Sequence, residues 1–199
     1  MTFKIITASQ DSHTAQIRDL FREYLQWGNR KLNEEFGVNL DIETMLADDM
    51  QRLDKFMPPD GRLLLGYAGD SLAGVACLKY LSPGIGEIKR MYVRPGNRKR
   101  GLGRALINRL VAEATRIGYK RLRLDSARFM IEAHQLYRST GFYDIDPYEG
   151  SEIPIEFQKH WVFLQIELSG KESEGIDSAG PGQRNDSTKA ISSAVNSSA

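Results

Sequence analysis

A single cysteine, Cys77, stands among 199 residues. That excludes an internal disulfide and a cysteine-built metal cage, and it fits a reducing compartment. Because Cys77 sits in the apolar run Val75-Ala76-Cys77-Leu78, it is expected to be a buried structural thiol. Only three histidines occur, His13, His134 and His160, with no H-E-x-x-H or paired spacing, so a histidine metal site has no ligand pattern to rest on. No apolar run approaches the roughly 18 residues a membrane span needs, and Met1 to Thr7 holds no long apolar segment. A soluble, cytoplasmic protein is the expectation. An excess of one charge is also lacking: 27 Lys and Arg oppose 26 Asp and Glu, a net of +1, which gives no global pull toward nucleic acid or a membrane surface.

Positive charge is instead concentrated in one stretch, Glu87 to Leu110, E-I-K-R-M-Y-V-R-P-G-N-R-K-R-G-L-G-R-A-L-I-N-R-L. Ile88, Met91, Tyr92 and Val93 supply β-favouring side chains, and Pro95-Gly96 stops them with turn chemistry. From Leu102 onward Leu106, Leu110 and Ala114 recur every fourth residue, beside Ile107, Val111 and Ile117, which predicts an amphipathic helix closed by Gly118. Between strand and helix lies Arg98-Lys99-Arg100-Gly101-Leu102-Gly103. The first amides of a helix lack intrahelical partners and sit at the positive end of its dipole, so such an end binds phosphate. Two glycines let an anion approach those amides, and Arg98, Lys99, Arg100 and Arg104 surround it with charge suited to a diphosphate. A dinucleotide fingerprint fails because Leu106 stands where its third glycine belongs, and the G-K-[S/T] of a P-loop is absent.

What remains, R-x-x-G-x-G on a strand-turn-helix, resembles the GNAT family of acyl-CoA-dependent N-acetyltransferases. A second motif supports the resemblance: after Arg121-Leu122-Arg123-Leu124-Asp125 comes Ala133-His134-Gln135-Leu136-Tyr137-Arg138-Ser139-Thr140-Gly141-Phe142, similar to the family's A-x-x-L-Y-x-x-x-G-F. The resemblance implies an α/β fold of the α+β mixed-sheet kind, a central, mostly antiparallel sheet flanked by helices. It implies acetyl-CoA as co-substrate, held by Arg98 to Arg104 (Arg98, Lys99, Arg100, Gly101, Leu102, Gly103, Arg104). Its pantetheine arm is expected to lie alongside Met91, Tyr92 and Val93. Tyr137 matches the tyrosine to which many members assign the acid role, and a phenol with an ordinary pKa of about 10 is protonated at neutral pH. Packing next to Gly141-Phe142 is the alternative for it. Glu87, eleven residues before Arg98, matches the position of a catalytic glutamate in some histone-type relatives and is a candidate base acting through water. A solvated strand-end glutamate is the alternative there. Many relatives carry asparagine where this chain has Met130, so an amide contact to the arm is missing or is replaced, with Asp125 and Ser126 the substitutes.

In chain order the patterns predict β-α-α-β-β-β-α-β-α-β-β, with no internal repeat. Phe3 to Thr7 is a strand, and a helix runs up to Gly28. Asn29 to Asn39 is expected to be loop or broken helix, and a second helical stretch includes Ile42, Met45, Leu46, Met50 and Leu53. Arg62 to Ala68 and Leu72 to Leu81 form a hairpin across Gly69-Asp70. Residues 1–168 are expected to form one domain, and 169–199, rich in Ser, Gly, Ala, Asn and Asp, a disordered tail. Tyr24, Trp27, Glu34, Glu35, Asp41, Tyr148 and Glu149 are expected around the acceptor, where acidic and aromatic groups suit a cationic amine. A solvated acidic face is the competing reading. His134 is expected to face the solvent side of its helix or its neighbours, and His160 is a secondary candidate base.

The functional expectation is therefore acetyl transfer to a primary amine by direct attack in a ternary complex, since no nucleophilic cysteine or serine stands out. A non-catalytic acyl-CoA sensor is the alternative. The acceptor, a small molecule or a peptide, and the oligomeric state, a homodimer among the options, are not legible. Neither nucleic acid, a membrane partner nor a metal is expected.

Overall fold

The computed structural model describes residues 2–168; the expected tail lies outside them. Seven strands form one mixed sheet in the order β1-β2-β3-β4-β5-β7-β6. They are β1 (Phe3–Thr7), β2 (Arg62–Ala68), β3 (Ser71–Ser82), β4 (Ile85–Val93), β5 (Arg121–Ala127), β6 (Tyr143–Ile145) and β7 (Trp161–Glu167). Only the β4–β5 pairing is parallel. Four helices cover it: α1 (Gln10–Phe36), α2 (Ile42–Gln51), α3 (Leu102–Ile117) and α4 (Ile131–Ser139). The element order is the one the hydrophobic periodicity predicts.

The central strands are apolar on both faces because both are covered. Alternation along β2 sends Leu64 to one side and Leu63 and Leu65 to the other, and along β3 it separates Ala76 and Leu78 from Val75 and Cys77. The first set packs on Leu102, Leu106 and Leu110 of α3. The second packs on Ile17, Leu20, Phe21 and Leu25 of α1 and on Leu46 of α2. Cys77 is fully buried, as its apolar neighbours suggest.

One expectation is corrected. The first helix does not stop at Gly28 but continues to Phe36. A mid-helix glycine costs roughly 0.5–1 kcal/mol, and burial beyond it outweighs that: Leu32 continues the stripe of Leu25, and Phe36 meets Phe129 and His160. The helix ends at Gly37, whose φ of 65° turns the chain while the Gly37 and Val38 amides close on the Asn33 and Leu32 carbonyls.

The feature that positions the site is a bulge in β4. Val75 pairs with Tyr92 and Cys77 with Lys89, so β4 spends one residue more than β3 over the interval. Arg90 sits inside it at φ 51°. The bulge bends β4 away from β5. Their parallel register covers only Ile85 to Glu87 against Arg121 to Arg123, after which β4 follows β3 and β5 follows β7. A wedge opens in the middle of the sheet.

Candidate active site

The wedge leads into a cavity of about 320 Å3, bordered by Ile88 to Met91 on one strand and Leu124 to Ala127 on the other. Within the gap the facing backbone edges of β4 and β5 have no strand register with each other among the described residues. They are free to bond an extended ligand as a further strand would.

At the end of β4 the chain passes through a 3-10 turn, Pro95–Asn97, and enters α3 through Gly101, which holds φ 95°. No side chain caps this start, and the helix closes its first turn with the Ala105 N–H donating to the Gly101 carbonyl at 3.0 Å. The amides of Leu102, Gly103 and Arg104 therefore point out of the helix start without an intrahelical acceptor. At Gly103 a Cβ would come within 3.1 Å of Leu136 Cδ2 and 3.8 Å of Met91 Cε, so the first turn lies tightly between β4 and α4. Arg98 is held inward: its Nε–H donates to the Val93 carbonyl at 2.9 Å, and its guanidinium lies 5.1 Å from the Trp27 ring centre and 5.7 Å from that of Tyr92. Lys99 pairs with Glu132 at 2.8 Å in an exposed position, and Arg104 donates to Ser139 Oγ at 2.9 Å. Three cations, Arg98, Lys99 and Arg104, thus flank an uncapped helix start.

Tyr137 of α4 borders the cavity and is only 5 % exposed. Its ring lies 6.0 Å from that of Phe142, and burial raises its hydroxyl pKa above the ordinary tyrosine value. Tyr24, from α1, borders the same cavity with a pKa also raised by burial. Met130 and Ser126 are there too, Ser126 Oγ donating to Met130 Sδ at 3.3 Å and lying 3.1 Å from His134 Nε2. His134 is accordingly buried, facing its neighbours and not solvent, and burial followed by the nearby Arg138 charge lowers its pKa.

Glu87 is not among the cavity-lining residues. Its carboxylate is fully buried behind the wall, where it accepts a 2.8 Å hydrogen bond from the Tyr148 hydroxyl and faces Lys89 Nζ at 3.1 Å. Its second oxygen meets no hydrogen-bond donor of good geometry, only the Lys79 charge at 3.0 Å. This corrects the picture of a strand-end carboxylate reached by water: Lys79 is its cross-strand partner and Lys89 is on the same face two residues on. Lys89 lines the cavity and also binds Asp125 at 2.7 Å, with Glu152 3.7 Å away. Burial pulls the Lys89 pKa down, and Asp125, Glu87 and Glu152 together more than reverse it, so the ammonium stays charged. Glu152 opposes its own burial through Lys89 and Lys79, and its pKa is lowered to about 2.

Of the residues expected around the acceptor, the structure brings Tyr24 to the cavity. Trp27 instead packs on Arg98 and Phe129. Glu34, Glu35, Asp41 and Glu149 are exposed, Asp41 serving as the cap of α2, and Tyr148 is buried on Glu87. His160 stacks on Phe36 with ring centres 4.3 Å apart. Sequence reasoning missed Lys89, Glu152, Phe157 and Trp161, all of which border the cavity. A signal for Lys89 existed: Glu87-x-Lys89 places two opposite charges on one face of an otherwise apolar strand. The Glu152–Lys79 contact joins residues too distant in the chain to leave such a trace.

An uncapped, cation-flanked helix start that follows an open strand edge, with a buried phenol and ion-paired carboxylates bordering the same wedge, is an arrangement suited to holding a phosphate-tagged donor beside an acceptor. The comparisons with known proteins agree. Residues 15–142 match the acetyltransferase (GNAT) family. An uncharacterized N-acetyltransferase of Schizosaccharomyces pombe is 32% identical over 152 residues, covering 75% of this chain and 85% of that protein. Among solved structures, the paia N-acetyltransferase of Thermoplasma acidophilum in complex with coenzyme A superposes with a TM-score of 0.63 at 17% identity, covering 84% of this chain and 99% of that one. The yncA protein of Salmonella typhimurium with its cofactor acetyl-CoA gives 0.59 at 20% identity, covering 90% and 100%. The chain belongs to the acetyltransferase (GNAT) family and is an acyltransferase of the N-acetyltransferase class. No described helix is long and apolar enough to cross a membrane.

Proposed function

We propose that the protein transfers an acetyl group from acetyl-CoA to a primary amine by direct attack in a ternary complex. The observation that carries this reading is the β4–β5 wedge: its unpaired strand edges border a cavity together with Tyr137, and β4 runs on through a 3-10 turn into the uncapped start of α3. Two fold neighbours solved with coenzyme A or acetyl-CoA support it.

Acetyl-CoA supplies the activated acyl thioester. The amides of Leu102, Gly103 and Arg104, behind the Gly101 turn, receive the diphosphate, with Arg98, Lys99, Arg100 and Arg104 around it. The Lys99–Glu132 pair is exposed on both sides, so little is lost when Lys99 turns to a diphosphate. Met91, Tyr92 and Val93 offer their backbone edge to the arm, and a β4 amide polarises the acyl carbonyl. The amine nitrogen forms its bond to the acyl carbon as the carbon–sulfur bond breaks, and the sulfur takes its proton from the Tyr137 hydroxyl. The raised pKa of Tyr137 keeps that proton available. The acceptor ammonium gives up one proton to solvent before attack. Its second N–H proton leaves toward Asp125, the carboxylate of the buried cluster that borders the cavity beside Glu152, and Tyr137 is reprotonated from solvent as coenzyme A departs. Glu87 acts one step behind, as a positioning residue that holds Lys89 and, through Tyr148, the loop before β7.

Calorimetric titration of coenzyme A into the protein and into Gly103→Glu tests the reading. The wild-type chain should bind. The variant, with a carboxylate at the helix start and a side chain pressed on Leu136, should lose at least about a hundredfold in affinity. Equal uptake by the two proteins, or none by the wild type, overturns it.

A further inference from the structure

We infer that the acceptor is a compact primary amine on an aromatic or branched apolar body, without a carboxylate beside the amine. The inference rests on the acetyl-transfer reading above and specifies its second substrate. Beyond the strand wedge the cavity is walled by the second half of α1 and the segment after it, with Leu32, Phe36, Val38 and Leu40, and opposite them by Phe157 and Trp161. Glu34, Glu35 and Asp41 are exposed and form no part of this wall, which selects for apolar surface.

The floor carries the charge. Asp125 and Glu152 border the cavity, and the cluster they belong to contains three carboxylates, with Glu87, against the two ammonium groups of Lys79 and Lys89. An incoming ammonium is drawn to the Asp125 and Glu152 carboxylates that border the cavity. A free carboxylate on the acceptor finds no such partner. Among the described residues the cations bordering the cavity are Lys89, held on Asp125 and Glu87, and Arg90, held by Asp49 through two bonds of 2.6 and 2.8 Å. An amino acid would bury its carboxylate against Asp125 and Glu152 uncompensated. A polyamine would lay its second ammonium on Phe36 and Leu32, and a lysine of a peptide would press its backbone amides onto the same wall, each at a desolvation cost.

The test uses the full chain, acetyl-CoA and release of free thiol, with 2-phenylethylamine, phenylalanine, spermidine and a lysine-containing peptide as acceptors. We expect kcat/KM for 2-phenylethylamine to exceed that of each of the others by about a hundredfold, the scale of discrimination when a charge is left unpaired. Phe157→Ala should raise the KM for 2-phenylethylamine about tenfold, as loss of apolar pocket contact does, while coenzyme A affinity, read by calorimetry, holds. Equal or higher kcat/KM with phenylalanine, spermidine or the peptide overturns the inference, as does coenzyme A binding without turnover of 2-phenylethylamine. Failure to bind coenzyme A sinks the transfer reading itself, so the two failures are told apart by calorimetry.

Discussion

Asp49→Asn should damage both stability and the site, although Asp49 lines neither the wedge nor the helix start. Asp49 of α2 is 3 % exposed and receives two bonds from Arg90, whose side chain is 14 % exposed, while Lys55 Nζ lies 3.4 Å from the same carboxylate. Burial alone would pull the Arg90 pKa down, and the Asp49 bonds reverse this and raise it, so the guanidinium is charged at every working pH. Asparagine keeps the size and one acceptor but turns an N–H2 toward a donor and removes the countercharge. Removing one partner of a buried pair costs roughly 3–5 kcal/mol. Because Arg90 and Lys55 retain some solvent, the low end applies, about 3 kcal/mol. For a chain of this size that lowers Tm by roughly 6–12 °C.

Urea unfolding followed by circular dichroism measures the loss, and a double-mutant cycle with Arg90→Ala and Asp49→Ala isolates the pair. Arg90 occupies the bulge that parts β4 from β5, so releasing it should also weaken coenzyme A binding, read by calorimetry on the folded variant. A loss under about 1 kcal/mol at unchanged m-value would refute the argument, since the guanidinium would then have found solvent in place of its partner.

Tyr137→Phe should fold normally, because its ring packing is kept, yet lose about 10²–10⁴-fold in kcat. Burial raises the Tyr137 pKa, so its deprotonation cannot limit kcat below pH 10; a descending limb under that pH that disappears in Tyr137→Phe would show the assignment wrong. Glu152 has a folded pKa of about 2 against an ordinary 4.5, so its stabilising contribution is whole above 4.5 and is lost as pH falls toward 2. Glu152→Gln should therefore flatten stability against pH in that window, and an unchanged acid limb in urea midpoints would contradict the clamp. Gly101→Ala, forced to φ 95°, should cost about 1–3 kcal/mol. Differential scanning calorimetry reads that cost, and an unshifted Tm would mean the turn relaxes.

Much of the fold was legible because its signals are local. Gly69-Asp70 marks the β2–β3 hairpin, and Leu102, Leu106, Leu110 and Ala114 mark α3, each within a few residues of the contacts they make. The uncapped start of α3 was legible for the same reason, since glycines and arginines stand side by side in the chain. Gly28 misled because a helix boundary was read from one residue, whereas the burial of Leu32 and the packing of Phe36 on Phe129 depend on a strand end far along the chain. The acidic residues near α1 are exposed, as a solvated face would be, but the apolar wall of Leu32, Phe36, Phe157 and Trp161 was not legible, because which helix face meets the wedge is decided by tertiary packing.

The buried charge cluster explains how the two halves of the site keep their relation. Lys79 and Glu87 are paired across β3 and β4, and Lys89 carries the charge across the wedge to Asp125 on β5. These strands have lost their ladder beyond Glu87, so the Lys89–Asp125 bond at 2.7 Å spans a gap that no backbone hydrogen bond closes. Glu152 and Tyr148 attach the loop before β7 to the same cluster, which places Phe157 and Trp161 opposite α1. A purely apolar core here would fold at lower desolvation cost. It would leave nothing to fix the width of the wedge or to meet an ammonium within it, and a wedge of undefined width cannot hold an amine against a carbonyl at attack distance.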